Sequence, residues 1–231
     1  MVDGEVRAAY VERAAEYIDV LGSVEQLSEL DRQRIGDWSA SVDGLVIDAG
    51  CGPGHWTDFL ARRGVRVLGV DLVPDFIASA RERFPGVPFV VGSLREPLRE
   101  RLCECFSDAS RASLRHLRER DDIVGSDGAA GILAWYSLIH LPPEELPPVL
   151  ASLARELRPR GRLLLGFFEG EAAEPFAHAI TTAYFWSVER MSEMLGGVGF
   201  DVIDVETRRD DGARPHASLS AILRQASVPG P

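Results

Sequence analysis

Leu45-Val46-Ile47-Asp48-Ala49-Gly50-Cys51-Gly52-Pro53-Gly54 reads as a short apolar strand running into a glycine-rich turn. Helical spacing resumes beyond it through Trp56, Phe59, Leu60 and Arg63. Glycine at alternate positions removes side chains where the backbone must turn sharply and approach a ligand closely. The amides that open the following helix then face the bound molecule. The spacing is GxGxG with His55 after Gly54, so the GxGxxG dinucleotide pattern is not met. Asp48 stands two residues before the first glycine. A carboxylate there repels a pyrophosphate and suits a ligand that carries an ammonium group.

Working outward, strands and helices alternate. Val65–Val70 reads as a strand, Pro74–Phe84 as a helix and Val87–Val91 as a third strand. The rhythm returns at Gly131–Ser137 (strand), Pro143–Leu157 (helix), Arg162–Phe168 (strand) and Val188–Val198 (helix). Such alternation implies a parallel sheet with helices on both faces. Asp201–Thr207 and Ala217–Leu223 are strands separated by a turn-rich stretch without a helix, which predicts an antiparallel hairpin. The N-terminal side carries two amphipathic helices, over residues 4–21 and from about Val24 to Trp38. The expected architecture is α/β: a three-layer, Rossmann-like, seven-stranded, mostly parallel sheet with a reversed last strand and helices on both faces. Residues 1–42 form an N-terminal helical cap and 43–231 the core, with a helical insertion at about 95–125. Leu98, Leu102, Cys105, Ala109, Ala112 and Leu117 recur there at helical spacing. That insertion reads as a surface addition packed on the domain edge, as a lid or as a dimer contact.

Asp71 closes the second strand 21 residues beyond Gly50 (71 − 50), where an acid can accept hydrogen bonds from both ribose hydroxyls. Gly92-Ser93-Leu94, after the third strand, occupies the position beside an adenine ring. In this order Asp48–Gly54, Asp71 and Gly92–Leu94 resemble the cofactor motifs of class I S-adenosylmethionine-dependent methyltransferases. Trp135-Tyr136-Ser137-Leu138-Ile139-His140 and Leu157-Arg158-Pro159-Arg160-Gly161 extend the resemblance, which covers roughly residues 4–224 apart from the insertion.

The resemblance implies S-adenosyl-L-methionine as cofactor and S-adenosyl-L-homocysteine as product. Asp48 and the backbone of Gly50, Cys51, Gly52 and Gly54 would hold the methionine part, and Asp71 the ribose. Leu72 would pack on the adenine, and Ser93 and Leu94 would line its pocket. Trp135 and Tyr136 would lie beneath the methionine. Tyr10 and Tyr17 resemble tyrosines that close over the cofactor, although Tyr17 also reads as a core aromatic. Two positions depart from the family pattern: Arg160 stands in the Pro-Gly-Gly turn, and Arg95-Glu96 stands where an acidic residue often flanks the adenine.

The implied reaction is an in-line methyl transfer in which positioning and a dry pocket contribute much of the acceleration. An oxygen acceptor benefits from a base, and a free amine needs none. The candidate bases are His140, which alternatively caps the next helix, and His178, in the aromatic segment 176–186 that would face the acceptor. His55 and His216 read as bystanders, and Cys51 as a small residue that fits its loop.

Composition narrows the partners. The 231-residue chain has a net charge of −11, and all 25 of its basic residues are arginine. That balance opposes binding to phosphate backbones or anionic membranes, so neither nucleic acid nor membrane is an expected partner. Cys103 and Cys105 have CxC spacing with no second ligand pair, so no metal is expected. Reduced thiols and the lack of a basic-then-apolar leader predict a cytoplasmic protein, monomeric or homodimeric, acting on a small-molecule acceptor by O- or N-methylation. Three alternatives stand beside this reading: a catalytically silent methyltransferase-like binding module, a nicotinamide-dependent oxidoreductase and a nucleic-acid methyltransferase.

Overall fold

Val46–Ala49 forms strand β1, and all four of its residues are buried. A strand without a solvated face needs neighbours on both edges and helices on both sides. In the computed structural model, which describes residues 2–14, 28–97 and 128–225, it has both. Helices α1 (Val2–Glu12) and α2 (Glu29–Ala40) precede it. After it come α3 (His55–Arg62), β2 (Val67–Asp71), α4 (Pro74–Arg83), β3 (Phe89–Val91), β4 (Ala129–Trp135) and α5 (Leu146–Glu156). The chain continues through β5 (Leu157–Phe168), β6 (Pro175–Ala177), β7 (Thr182–Tyr184), α6 (Val188–Gly197), β8 (Phe200–Arg208) and β9 (His216–Leu223). The main sheet has the order β3-β2-β1-β4-β5-β9-β8, with β1 to β5 mutually parallel and β9 antiparallel to both β5 and β8. The expected seven-stranded sheet with a reversed last strand is therefore present.

The period of two along each strand divides the core between two faces. Ile47, Leu68, Val70, Ile132, Leu163 and Leu165 pack with α5 and α6 through Leu150, Leu153 and Leu195. Val46, Val67, Leu133 and Leu164 pack on the other face with Ile35, Trp38, Leu60 and Ile77 from α2, α3 and α4. Each such fully buried aliphatic side chain contributes roughly 1.5–3 kcal/mol. The same alternation puts Asp48 on the face covered by α3, buried and accepting a 2.6 Å hydrogen bond from the Thr57 hydroxyl.

Boundaries differ from expectation where backbone chemistry intervenes. α5 begins at Leu146 rather than Pro143, and its prolines sit in the first turn, where a missing N–H costs nothing. β5 begins at Leu157, directly after α5, and a register shift between Ala129 and Gly131 absorbs the Pro159-Arg160-Gly161 turn. Arg160 there takes the left-handed conformation (φ 61°) that glycine occupies without strain. The aromatic segment forms an antiparallel ribbon, β6–β7, that alternation alone did not reveal. α6 starts at Val188 behind the N-cap Ser187, whose hydroxyl oxygen accepts the Arg190 N–H. The expectations for Tyr17, Cys103 and Cys105, and for residues 98–127 of the insertion, lie outside the described residues.

Candidate active site

In an open parallel sheet, ligands bind beyond the strand C-termini where the strand order reverses. Here that point lies between β1 and β4, and the glycine loop opens on it. Gly50 and Cys51 donate their N–H groups to the Val70 carbonyl at 2.8 and 3.0 Å, folding the loop back against β2. Gly50 has φ 77°, and a Cβ there would lie 2.3 Å from the Ser137 Cβ, so only glycine lets the two loops meet.

A cavity of about 140 Å³ lies on one side of this loop. Asp71 faces it with its carboxylate fixed in place: Gly52 N–H donates to one oxygen and Val73 N–H to the other, each at 2.8 Å. Burial pushes Asp71 up to about 6, against the lowering effect of those amides. Leu72, Ser93 and Leu94 form the wall beyond. α1 roofs the cavity with Asp3, Val6 and Tyr10.

A second cavity of about 240 Å³ adjoins it and shares Tyr10, Gly50, Gly52, Trp135 and Tyr136. Its wall holds Asp48, Trp56, Phe168, His178 and His216. Burial pushes Asp48 up to about 7, helped by the negative charge of Asp71. Burial also holds the Cys51 thiol well above its ordinary range, so it stays protonated. Three buried polar atoms at these cavities have no partner among the described residues: Ser137 Oγ in the first, and His55 Nδ1 and His178 Nδ1 in the second. Uncompensated carboxylates and orphaned polar atoms are the features a polar, cationic ligand would satisfy.

The comparisons with known proteins agree with this architecture. Residues 46–123 match the family model described as a methyltransferase domain. The chain is 28% identical over 133 residues to ribosomal RNA large subunit methyltransferase E of Archaeoglobus fulgidus, covering 57% of this chain and 61% of that protein. It is 26% identical over 165 residues to malonyl-[acyl-carrier protein] O-methyltransferase of Serratia marcescens, covering 71% of this chain and 52% of that protein. The chain thus spans about half the length of the curated relatives it matches. Among solved structures it resembles Burkholderia thailandensis 1,6-didemethyltoxoflavin-N1-methyltransferase with a TM-score of 0.68 and 21% identity, over 96% of this chain and 88% of that one. The family match covers part of the chain, and the seven-stranded sheet with its reversed last strand gives the whole chain a class I methyltransferase fold.

Within this class I methyltransferase fold, the cavities bring together Asp48, Gly50, Cys51, Gly52, Asp71, Leu72, Ser93, Leu94, Trp135 and Tyr136. Gly54 acts one step back: it caps α3 with φ 85° and a Cβ there would clash with the Phe89 ring at 2.7 Å. His140 Nδ1 lies 2.8 Å from the Thr182 carbonyl, which only accepts, so Nδ1 carries the proton. Its Nε2 therefore accepts the Tyr10 hydroxyl at 3.1 Å. Burial lowers the His140 pKa and keeps the ring neutral. His140 lines the first cavity, and its Nε2 lone pair is taken up by Tyr10, which lines both. The His178 ring lies 5.1 Å from that of His140, and its Nδ1 is buried with no partner among the described residues. Burial, then His140, Arg214 and Arg13, lower it to about 4.

His216, which reads as a bystander in the sequence, lies at the second cavity. Its Nδ1 lies 2.6 Å from the Tyr136 hydroxyl, and both side chains face the second cavity. Tyr136 adopts φ 55°, an uncommon conformation for a residue with a Cβ and one that concentrates at functional sites. Sequence carried no signal for this pair, because the two residues sit at the ends of different strands. His55 likewise lines this cavity, lowered to about 4 first by burial and then by Arg83.

Proposed function

We propose that this chain transfers a methyl group from S-adenosylmethionine to a small, partly aromatic acceptor in the cytoplasm. The observation that carries the reading is the junction of the two cavities at Gly50, Gly52, Trp135, Tyr136 and Tyr10. It joins the chamber that holds Asp71 to the one that holds Asp48 and the aromatic walls.

The cofactor, when bound, supplies an activated methyl on a positively charged sulfonium. Asp48 would take the ammonium of its methionine part, which stabilises the ionised carboxylate against burial. The loop backbone from Gly50 to Gly54 would hold the rest of that tail. Asp71 would accept from the ribose hydroxyls with the lone pairs left by Gly52 and Val73. Leu72, Ser93 and Leu94 would enclose the adenine, and Trp135 and Tyr136 would floor the transfer point.

On the acceptor side, Phe168, Trp56 and Tyr136 offer flat apolar walls, and the His178 and His216 imidazoles stay neutral near pH 7. A hydroxyl acceptor would release its proton to His216 beside Tyr136, or to His140 through Tyr10. An amine acceptor would need positioning alone. The relative acting on ribosomal RNA does not redirect this reading. The net charge of −11 opposes a phosphate backbone. Arg34 and Arg208, on the surface between α2 and β8, are paired with Asp204 and Asp31. No helix among the described residues is long and apolar enough to cross a membrane.

Calorimetric titration with S-adenosylhomocysteine tests the cofactor. Micromolar binding at one site per chain is expected, with a loss of at least tenfold in Asp71→Ala. Unaltered binding by that variant would remove the ribose assignment. A screen of hydroxylated and amino aromatic metabolites for S-adenosylhomocysteine release then tests the transfer.

A further inference from the structure

α1 presents Asp3, Val6 and Tyr10 to the first cavity at helical positions i, i+3 and i+7, which lie on one face. Val6 and Tyr10 serve as an apolar roof. Asp3 is a carboxylate in that roof, and it is held from two sides. Its Oδ2 accepts the Ser93 hydroxyl at 2.6 Å, and its Oδ1 accepts Arg95 Nε at 2.5 Å. Arg95 pairs with Glu145 as well, so the carboxylate is anchored to the chain beyond β3 and to the start of α5.

These bonds define what the cavity wall can recognise. The single proton of the Ser93 hydroxyl goes to Asp3, and its oxygen already accepts the Arg95 N–H at 3.2 Å. Ser93 therefore offers little to a ligand. Asp3 uses two of its roughly four acceptor sites and has no proton to give. An acceptor-only group bonded to Ser93, in a cavity that Leu72 and Leu94 also line, distinguishes an amine from an oxo group. The amine donates to it, and the oxo oxygen faces it lone pair to lone pair.

We propose that Asp3 reads the exocyclic amine of the adenine and makes the site selective for adenosyl over inosyl ligands. This rests on the cofactor reading above. The acid comes from α1, 90 residues earlier in the chain than Ser93. It also ties occupancy of the adenine end to the seating of the helix that roofs the cavity.

The test compares S-adenosylhomocysteine with its deaminated analogue S-inosylhomocysteine by calorimetry. The parent protein should favour the adenosyl ligand by about ten- to a hundredfold, the range for a hydrogen bond to a charged group. Asp3→Ala should narrow that preference to within about threefold. Asp3→Asn, which keeps the shape and can donate, should raise the relative affinity for the inosyl ligand. It also serves if Asp3→Ala fails to fold, as a thermal melt would show. A parent protein that binds both ligands equally overturns the proposal. So does a variant that weakens both equally with the ratio intact, since Asp3 would then only seat α1. In either case the cofactor reading stands. A parent protein that binds neither overturns both.

Discussion

The Tyr10 hydroxyl hydrogen-bonds His140 Nε2 at 3.1 Å across 130 residues of chain, and it does so at the junction of the two cavities. The bond fixes the imidazole from one side while the Thr182 carbonyl fixes it from the other. Tyr10→Phe keeps the edge contact with Phe76 and removes only the hydroxyl. It should cost about 1 kcal/mol and lower the melting midpoint by roughly 2–4 °C. Nitrogen-15 shifts of His140 should move as Nε2 loses its donor. An unchanged spectrum would show that the bond does not persist in solution.

Asp48 is held at about 7 chiefly by burial, against an ordinary carboxylate value of 3.8. The folded state therefore binds more protons than the unfolded state between these values. Stability falls as pH rises from about 4 to 7 and is flat above, as far as this group is concerned. Asp48→Asn should stabilise the ligand-free protein by roughly 2 kcal/mol at pH 8 and little at pH 4. It should also weaken S-adenosylhomocysteine at least tenfold. Denaturant melts of both proteins at the two pH values measure the difference, and equal gains at both would disprove the sign.

Tyr136 and His216 should affect turnover more than binding. With a hydroxylated acceptor, His216→Gln should reduce turnover by roughly 10²–10⁴ while S-adenosylhomocysteine affinity stays within about twofold. Burial, then Arg208, lowers the His216 pKa, so the base form prevails at neutrality. Parent activity should fall as pH drops below the ordinary imidazole range. A pH profile identical in parent and variant would remove His216 from proton transfer.

Arg160 is exposed and holds φ 61° in the turn before the central part of β5. A left-handed residue with a Cβ costs about 1 kcal/mol. Arg160→Gly should therefore raise the melting midpoint by roughly 2–4 °C, less the entropy glycine adds to the unfolded chain. Ligand affinity should not change. A lower midpoint would mean that the arginine side chain stabilises the turn by more than its backbone strains it.

What could be read from the sequence was what repeats or sits at short range. Short apolar runs gave β1, β2 and β4, and the glycine spacing after β1 located the ligand loop. Asp48 and Asp71 were legible because each closes a strand, so local pattern alone puts their carboxylates at the switch point. Boundaries at Leu146 and Leu157 and the β6–β7 ribbon were not, because proline chemistry and a register shift override periodicity there.

The sequence by itself determined the alternation of strands and helices, the reversed last strand and the two carboxylates at the carboxyl ends of β1 and β2. Only the tertiary structure decided which groups meet across the cavities: Asp3 with Ser93, Tyr10 with His140, and Tyr136 with His216. The members of these pairs lie 80 to 130 residues apart in the chain. Their contact depends on where α1 docks and how β9 registers against β5. Those are consequences of packing among distant elements, and packing leaves no periodic trace in the order of residues along any one of them.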